Sequence, residues 1–186
     1  MDPGLVARAK GGDRAALDAL LESQLNTVYR FVSVKLGDAH PDLDDVVQET
    51  LIGAAGSVGR LRGDSRAQVA GWLLSIARHK LADHLRRSYR RRADSIDAAG
   101  GHNLTDPAVP VEDQVARRDR AERLRQALGT LTAEQEEVVV LRFVLGFGID
   151  EVAQITGRPS GAVKSMQHRA LASLQRQLRS EEAMLQ

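Results

Sequence analysis

Three groups of side chains in this sequence carry enough charge at close spacing to do chemistry. The first is acidic: Asp42, Asp44, Asp45 and Glu49 in "HPDLDDVVQE". The second is basic: Arg86, Arg87, Arg90, Arg91 and Arg92 in "HLRRSYRRR". The third, Lys164, His168 and Arg169, lies in "DEVAQITGRPSGAVKSMQHR", where two short helical patterns flank Gly157. Such groups bind charged partners. The residues needed for catalysis are missing: there is no cysteine, hence no thiol nucleophile and no Cys-based zinc site. No Gly-rich phosphate loop occurs, and the five histidines are scattered at 40, 79, 84, 102 and 168. His79 and His84 are five apart, a poor ligand pair on a helix, and Asp83 beside His84 reads as a surface polar pair. An enzyme is therefore the weakest reading, and no cofactor, metal or small-molecule substrate is expected.

The bulk composition agrees with a binding role. A net charge of +1 over 186 residues hides two surfaces of opposite sign. Hydrophobic content of 42% supports a helical core, while aromatics at 3% rule out a core of stacked rings. No run of 18 apolar residues is present, so no membrane insertion is expected. The start "MDPGLVARAKGGD" lacks an apolar signal core, which points to a cytoplasmic protein.

The elements that must position these charges are helices. In "GLVARAKGGDRAALDALLESQLNTVYRFVSVKLG", Leu17, Leu20, Leu21, Leu25, Val28 and Phe31 recur near helical spacing, with Asp13 as N-cap and Gly37 as stop. The next helix starts at Asp42, with Asp45 three residues on in a weak capping box. Leu43, Val46, Val47 and Leu51 form its apolar stripe, and Asp44, Asp45, Gln48 and Glu49 face the other way. After the loop "GRLRGDSRAQ", a long helix carries Leu73, Ile76, Ala77, Leu81 and Leu85 inward. From Ser88 the text loses periodicity and gains Gly-Gly and prolines, the mark of a linker of about 80 Å at full stretch. A second helical block follows, in which Thr132 and Gln135 complete a capping box ahead of Val138, Val139, Leu141 and Val144. The expected fold is all-α: two small helical domains at 5–88 and 114–180, joined by a flexible linker at 89–113.

The third charged group then has a frame. Ile149, Val152 and Ile155 anchor one helix, small Ala153 permits a close crossing, and Gly157 suits a corner that needs positive φ. Ser160 is expected to cap the next helix. Val163, Met166, Ala170, Leu171 and Leu174 share its inner face. Gly161, Ala162, Lys164, Ser165, His168 and Arg169 are left outward. Small residues first and donors after suit the major groove, where backbone comes close and Lys and Arg reach phosphates or base edges.

The two blocks together resemble the sigma-70 family of transcription factors. "LDDVVQETLIGAAGSVGRLRGDSRAQVAGWLLSIARHKLADHLRR" is similar to the family's second conserved region. "LGTLTAEQEEVVVLRFVLGFGIDEVAQITGRPSGAVKSMQHRALASLQ" is similar to its fourth. With no third domain between them, the layout is that of the extracytoplasmic-function group. The resemblance implies a protein that binds core RNA polymerase, at the β′ clamp helices and the β flap, and directs it to promoter DNA. It implies that Asp44, Asp45, Gln48 and Glu49 dock on the clamp helices. It places the −10 element against Arg62, Asp64, Ser65 and Arg66 of the loop, against Arg78, His79 and Lys80 of the long helix, and against Arg86, Arg87 and Arg90 beyond. It places the −35 element against Ser160, Gly161, Lys164, Ser165, His168 and Arg169. Many members are held inactive by an anti-sigma factor, and this sequence is compatible with one. Two departures stand out: Met166 sits where the family often has Arg, and Gly148 where it often has a Ser or Thr cap, so the helix after Gly148 is expected to fray. Trp72, the only tryptophan, is expected in the core. Few exposed aromatics imply limited melting power and a strict promoter requirement.

Two other readings compete. A dimeric helix-turn-helix regulator would explain the C-terminal block and leave the acidic and Arg-rich helices without work. A helical adaptor or antagonist would keep the folds and lose the DNA contacts, which Lys164, Arg169 and the arginines from Arg86 to Arg92 argue against.

Overall fold

In the computed structural model, residues 3–94 and 123–184 are described. The chain divides between Ala108 and Val109 into two compact units. Among the described residues all regular structure is helical. The expected linker lies largely outside them.

Unit 1 is built from α1 (Pro3–Lys10), α2 (Arg14–Leu36), α3 (Leu43–Ala55) and α4 (Arg66–Asp94). Asp13 caps α2 as expected: its Oδ1 accepts the Ala16 N–H at 3.1 Å. Gly37 ends the helix at φ 100°, where its N–H donates to the Ser33 carbonyl at 2.7 Å. The core is a three-sided contact among α2, α3 and α4, with α1 packed on α2. Leu20, Val28, Phe31 and Val32 meet Val46, Val69, Leu73, Leu74 and Ala77 there, all within a few per cent of full burial. Gly53 sets the approach of α3 to α4, since a Cβ there would lie 3.2 Å from the Ile76 side chain.

The apolar faces differ from the expected ones at their edges. Leu25 stays 43% exposed, because the buried positions of α2 run Ala16, Leu20, Gln24, Val28. On α4 the inner stripe runs Ala70, Leu73, Leu74, Ala77, Leu81 and then His84, and Leu85 is left 47% exposed. One residue is about 100° around a helix, so the stripe cannot hold both. The expected surface pair therefore separates: His84 is buried and Asp83 instead pairs with Arg86 at 3.3 Å. Helix α4 also continues to Asp94, beyond the stretch whose periodicity announced it.

Unit 2 contains residues 123–129 (α5), α6 (Ala133–Val139) running into a π-helical turn at Val140–Val144, α7 (Ile149–Thr156) and α8 (Ser160–Met184). The capping box at the start of α6 forms as expected: Gln135 N–H donates to Thr132 Oγ1 and Thr132 N–H to Gln135 Oε1. The wider turn ends where the Leu145 N–H reaches back to the Val140 carbonyl at 2.9 Å. Gly146 follows at φ 72° and aims Phe147 inward, 1% exposed. Val138, Val140, Leu141, Val152, Val163 and Ala170 are buried in the same unit. Arg142 straps the turn by donating to the Phe147 carbonyl and, at 2.9 Å, to Gln167 Oε1.

Candidate nucleic-acid and partner interfaces

Helix α3 separates its faces as its sequence demands. Leu43, Val46, Val47 and Thr50 are buried, and Asp44, Asp45 and Gln48 are exposed. Thr50 satisfies its hydroxyl on the Val46 carbonyl at 2.8 Å. Ile52, 64% exposed one turn beyond Gln48, adds an apolar contact point to the acidic face. Sequence reasoning missed it because it falls just off the buried stripe. Asp44 also acts on α2: burial first, then the Asp44 and Asp38 charges, raise the Tyr29 phenol above its usual value.

Asp42 and Glu49 are turned inward. Asp42 occupies the N-cap position of α3, but its side chain makes no cap hydrogen bond and lies 3.5 Å from His84 Nε2. Glu49 pairs with Lys80 Nζ at 3.6 Å and with an Arg87 Nη at 3.3 Å. A residue expected to face a protein partner thus bonds two expected to face DNA, tying α3 to α4. These pairs are partly exposed, so each contributes about 0.2–1 kcal/mol.

The loop before α4 is shaped by Gly63 at φ 77° and by Gln68. The Asp64 and Ser65 N–H groups donate to Gln68 Oε1 at 3.2 and 3.1 Å, and the Gln68 N–H donates to Ser65 Oγ at 3.2 Å. This is a second capping box, Ser65-x-x-Gln68, legible in the sequence and passed over there. Ser65 therefore serves the helix start, while Arg62, Asp64, Ser65 and Arg66 all stand exposed.

Along α4, Arg78 is half-buried with its guanidinium 5.6 Å from the centre of the Phe31 ring. His79 is exposed, and its Nδ1 lies 2.7 Å from the Ser75 carbonyl, a contact in which Nδ1 donates and which leaves Nε2 facing outward. Arg86, Arg87, Arg90 and Arg91 are exposed, with Tyr89 among them at 73% exposure. Tyr89 is an exposed ring inside a basic stripe, a combination suited to single-stranded nucleic acid. Its signal was the ring interleaved in "RRSYRRR". Trp72 is half-buried, on the edge of the core.

In unit 2, Gly157 takes the left-handed conformation at φ 68° and ends α7, as its place in the corner requires. Ser160 does not cap α8. It is the first residue of that helix, and its hydroxyl donates to Asp150 Oδ1 at 2.6 Å, linking the starts of α7 and α8. Nor is α7 left uncapped by Gly148: Glu151 reaches back to accept the Gly148 N–H at 2.8 Å, the half of a capping box that needs no N-cap side chain. Arg158 braces the corner through Glu134 at 2.7 Å.

On α8, Val163, Met166 and Ala170 are buried, Leu174 is half-buried and Leu171 is 40% exposed, so the inner face is narrower than expected. Gly161, Lys164, Ser165, His168 and Arg169 are exposed on the other side. A Cβ at Gly161 would meet nothing within 4 Å, so the fold itself does not need glycine there.

These surfaces belong to a known class. The Sigma-70 region 2 family matches residues 20–91 and the Sigma-70, region 4 family matches residues 121–174. The ECF RNA polymerase sigma factor SigD of Mycobacterium tuberculosis (strain H37Rv) is 35% identical over 173 residues, covering 91% of this chain and 80% of that protein. The ECF RNA polymerase sigma factor BldN of Streptomyces coelicolor is 32% identical over 176 residues, covering 94% of this chain and 64% of its own length. A solved structure of the sigma factor RpoE with the anti-sigma factor NepR from Bartonella quintana matches at 26% identity and TM-score 0.52, over 83% of this chain and 92% of that one. CnrH, solved with the cytosolic domain of CnrY, shares the fold at 24% identity and TM-score 0.68, over 96% and 97%. The chain belongs to the sigma-70 family. Within that family it is an RNA polymerase sigma factor of the extracytoplasmic-function group.

Proposed function

We propose that this chain docks on core RNA polymerase through the outer face of α3 and reads promoter DNA with both units. Asp44, Asp45, Gln48 and Ile52 meet the basic β′ clamp helices, where charge complementarity sets orientation and encounter rate. The β flap is the second polymerase contact, on unit 2. Arg62, Asp64 and Arg66, with His79, Arg86, Arg90 and Tyr89 on α4, take the −10 strand as it opens. Extruding a base costs a few kcal/mol, which stacking and phosphate contacts offset. Gly161, Lys164, Ser165, His168 and Arg169 enter the major groove of the −35 duplex. Glu49, Lys80 and Arg87 serve mainly to hold α3 on α4. The protein acts in the cytoplasm as an initiation factor with no catalysis of its own. An anti-sigma factor covering these faces would silence it.

The observation that carries this reading is the pairing of two features in one chain. One is an outward acidic face on a helix locked by a buried stripe. The other is a helix-turn-helix whose donors project from a buried inner face. The test is run-off transcription by purified core polymerase on genomic fragments. Discrete starts that depend on the added chain are expected. Polymerase binding without starts would favour the adaptor, and tight duplex binding without polymerase binding would favour the dimeric regulator.

A further inference from the structure

The inner stripe of α4 ends on an imidazole where an aliphatic side chain would pack. His84 is 5% exposed. Opposite it lies the turn from His40 to Asp42, which joins α2 to α3. The His40 ring stands edge-on to His84, with centroids 5.6 Å apart and planes at 84°. His40 Nδ1 accepts the Asp42 N–H at 3.2 Å. His84 Nε2 is 3.5 Å from Asp42 Oδ2. One ligand atom from each of the three residues lies within 4.8 Å of the others, the one such cluster among the described residues.

The 3.5 Å separation is informative. Two ligand atoms bound at about 2.0–2.1 Å to one tetrahedral ion sit roughly 3.4 Å apart. The Asp42 carboxylate is also withheld from the cap its position invites. Beside the cluster a cleft of about 210 Å³ opens, lined by Asp42, Asp45, Glu49, His84 and Arg87 among others, and leads to solvent. His84 and Asp42 of the cluster line this open cleft, which leaves a coordination position for water or an incoming ligand.

We propose that His40, Asp42 and His84 form a site for a divalent transition metal, with Zn²⁺ as the ion the donor set suits best. Imidazole with a single carboxylate favours borderline ions over Ca²⁺ or Mg²⁺, and Zn²⁺ imposes the least geometry of its own. Binding through His40 Nδ1 replaces the hydrogen bond that it accepts from the Asp42 N–H. Any proton on either imidazole is released to solvent as the metal enters. The ion would fasten the turn before α3 to the inner face of α4 and add positive charge next to Asp45. Ion binding does not depend on the promoter reading above.

The experiment uses the full chain, free of any histidine tag. Zinc content after equilibrium dialysis against micromolar Zn²⁺ is measured alongside Tm with and without Zn²⁺. One zinc per chain is expected, with a Tm that rises with zinc because only the folded state assembles the site. His40→Asn and Asp42→Asn, at half-buried positions outside the core, should each lower zinc affinity tenfold or more and abolish the Tm response. His84→Asn should do the same if it folds, and the other two variants decide the matter if it does not. His79→Asn and His168→Asn, on exposed positions, should bind as the wild type does. Zinc well below one per chain, or one zinc that survives His40→Asn and Asp42→Asn, would overturn the proposal.

Discussion

The charged faces of α4 and α8 are put to different uses. On α4, Arg78 covers the Phe31 ring, Lys80 and Arg87 hold Glu49, and Arg86 holds Asp83. On α8, the outward Lys164, Ser165 and His168 hold no side chain of their own unit among the described residues, and Arg169 makes a single 3.4 Å bond to the Ser165 carbonyl. The difference teaches how each surface is to be probed. Substituting one of these charges on α4 should alter packing as well as any partner contact. Substituting one on α8 alters contact almost alone.

The largest effect is expected from a substitution in a core. Phe147→Ala removes the largest fully buried side chain described in unit 2 and should cost about 3–5 kcal/mol of that unit's stability, seen as a lower unfolding midpoint. Duplex binding should fall with it while α3 and α4 keep their fold. A variant with an unchanged midpoint would mean that Phe147 does not organise the α8 frame.

Substitutions on α8 should act more cleanly. Arg169→Ala should cost about 1–3 kcal/mol in binding to the preferred −35 duplex and relax preference at one base. Lys164→Ala should weaken all duplexes alike and lower the salt slope by about one. Neither should move Tm. Fluorescence anisotropy over a salt series checks both, and a Tm loss in either would erase the contrast with α4.

The smallest effect belongs to the α3–α4 ties. A double-mutant cycle on Glu49→Gln and Lys80→Met should return a coupling of about 0.2–1 kcal/mol in urea unfolding, reduced by salt. A coupling of zero would return Glu49 and Lys80 to the partner-facing surfaces.

What could be read from the sequence was mostly local. Asp13, Thr132 with Gln135, and Gly157 act within a few residues of themselves, so their types and spacing sufficed. The acidic face of α3 and the outward face of α8 were legible because helical periodicity decides them. The register of α4 was less so: choosing His84 over Leu85 for the inside depends on what α3 and its preceding turn present opposite. The Glu49 pairs and the meeting of His40 with His84 join residues far apart in the chain, and no spacing rule connects them. Ser160 is of a type that suits a cap, whereas Asp150, ten positions back, takes its hydroxyl.

The most direct test of the central claim, that the outer face of α3 is the polymerase-docking surface, is Asp45→Arg. The side chain is exposed and makes no ion pair among the described residues, so the fold should hold. Reversing its sign against a basic partner costs several kcal/mol, about a hundredfold or more in affinity. The measurement is run-off transcription with core polymerase, wild type against variant, alongside Tm and duplex binding of the free protein. Specific starts should vanish while Tm and duplex binding stay at wild-type values. Starts at wild-type strength from Asp45→Arg would contradict that claim.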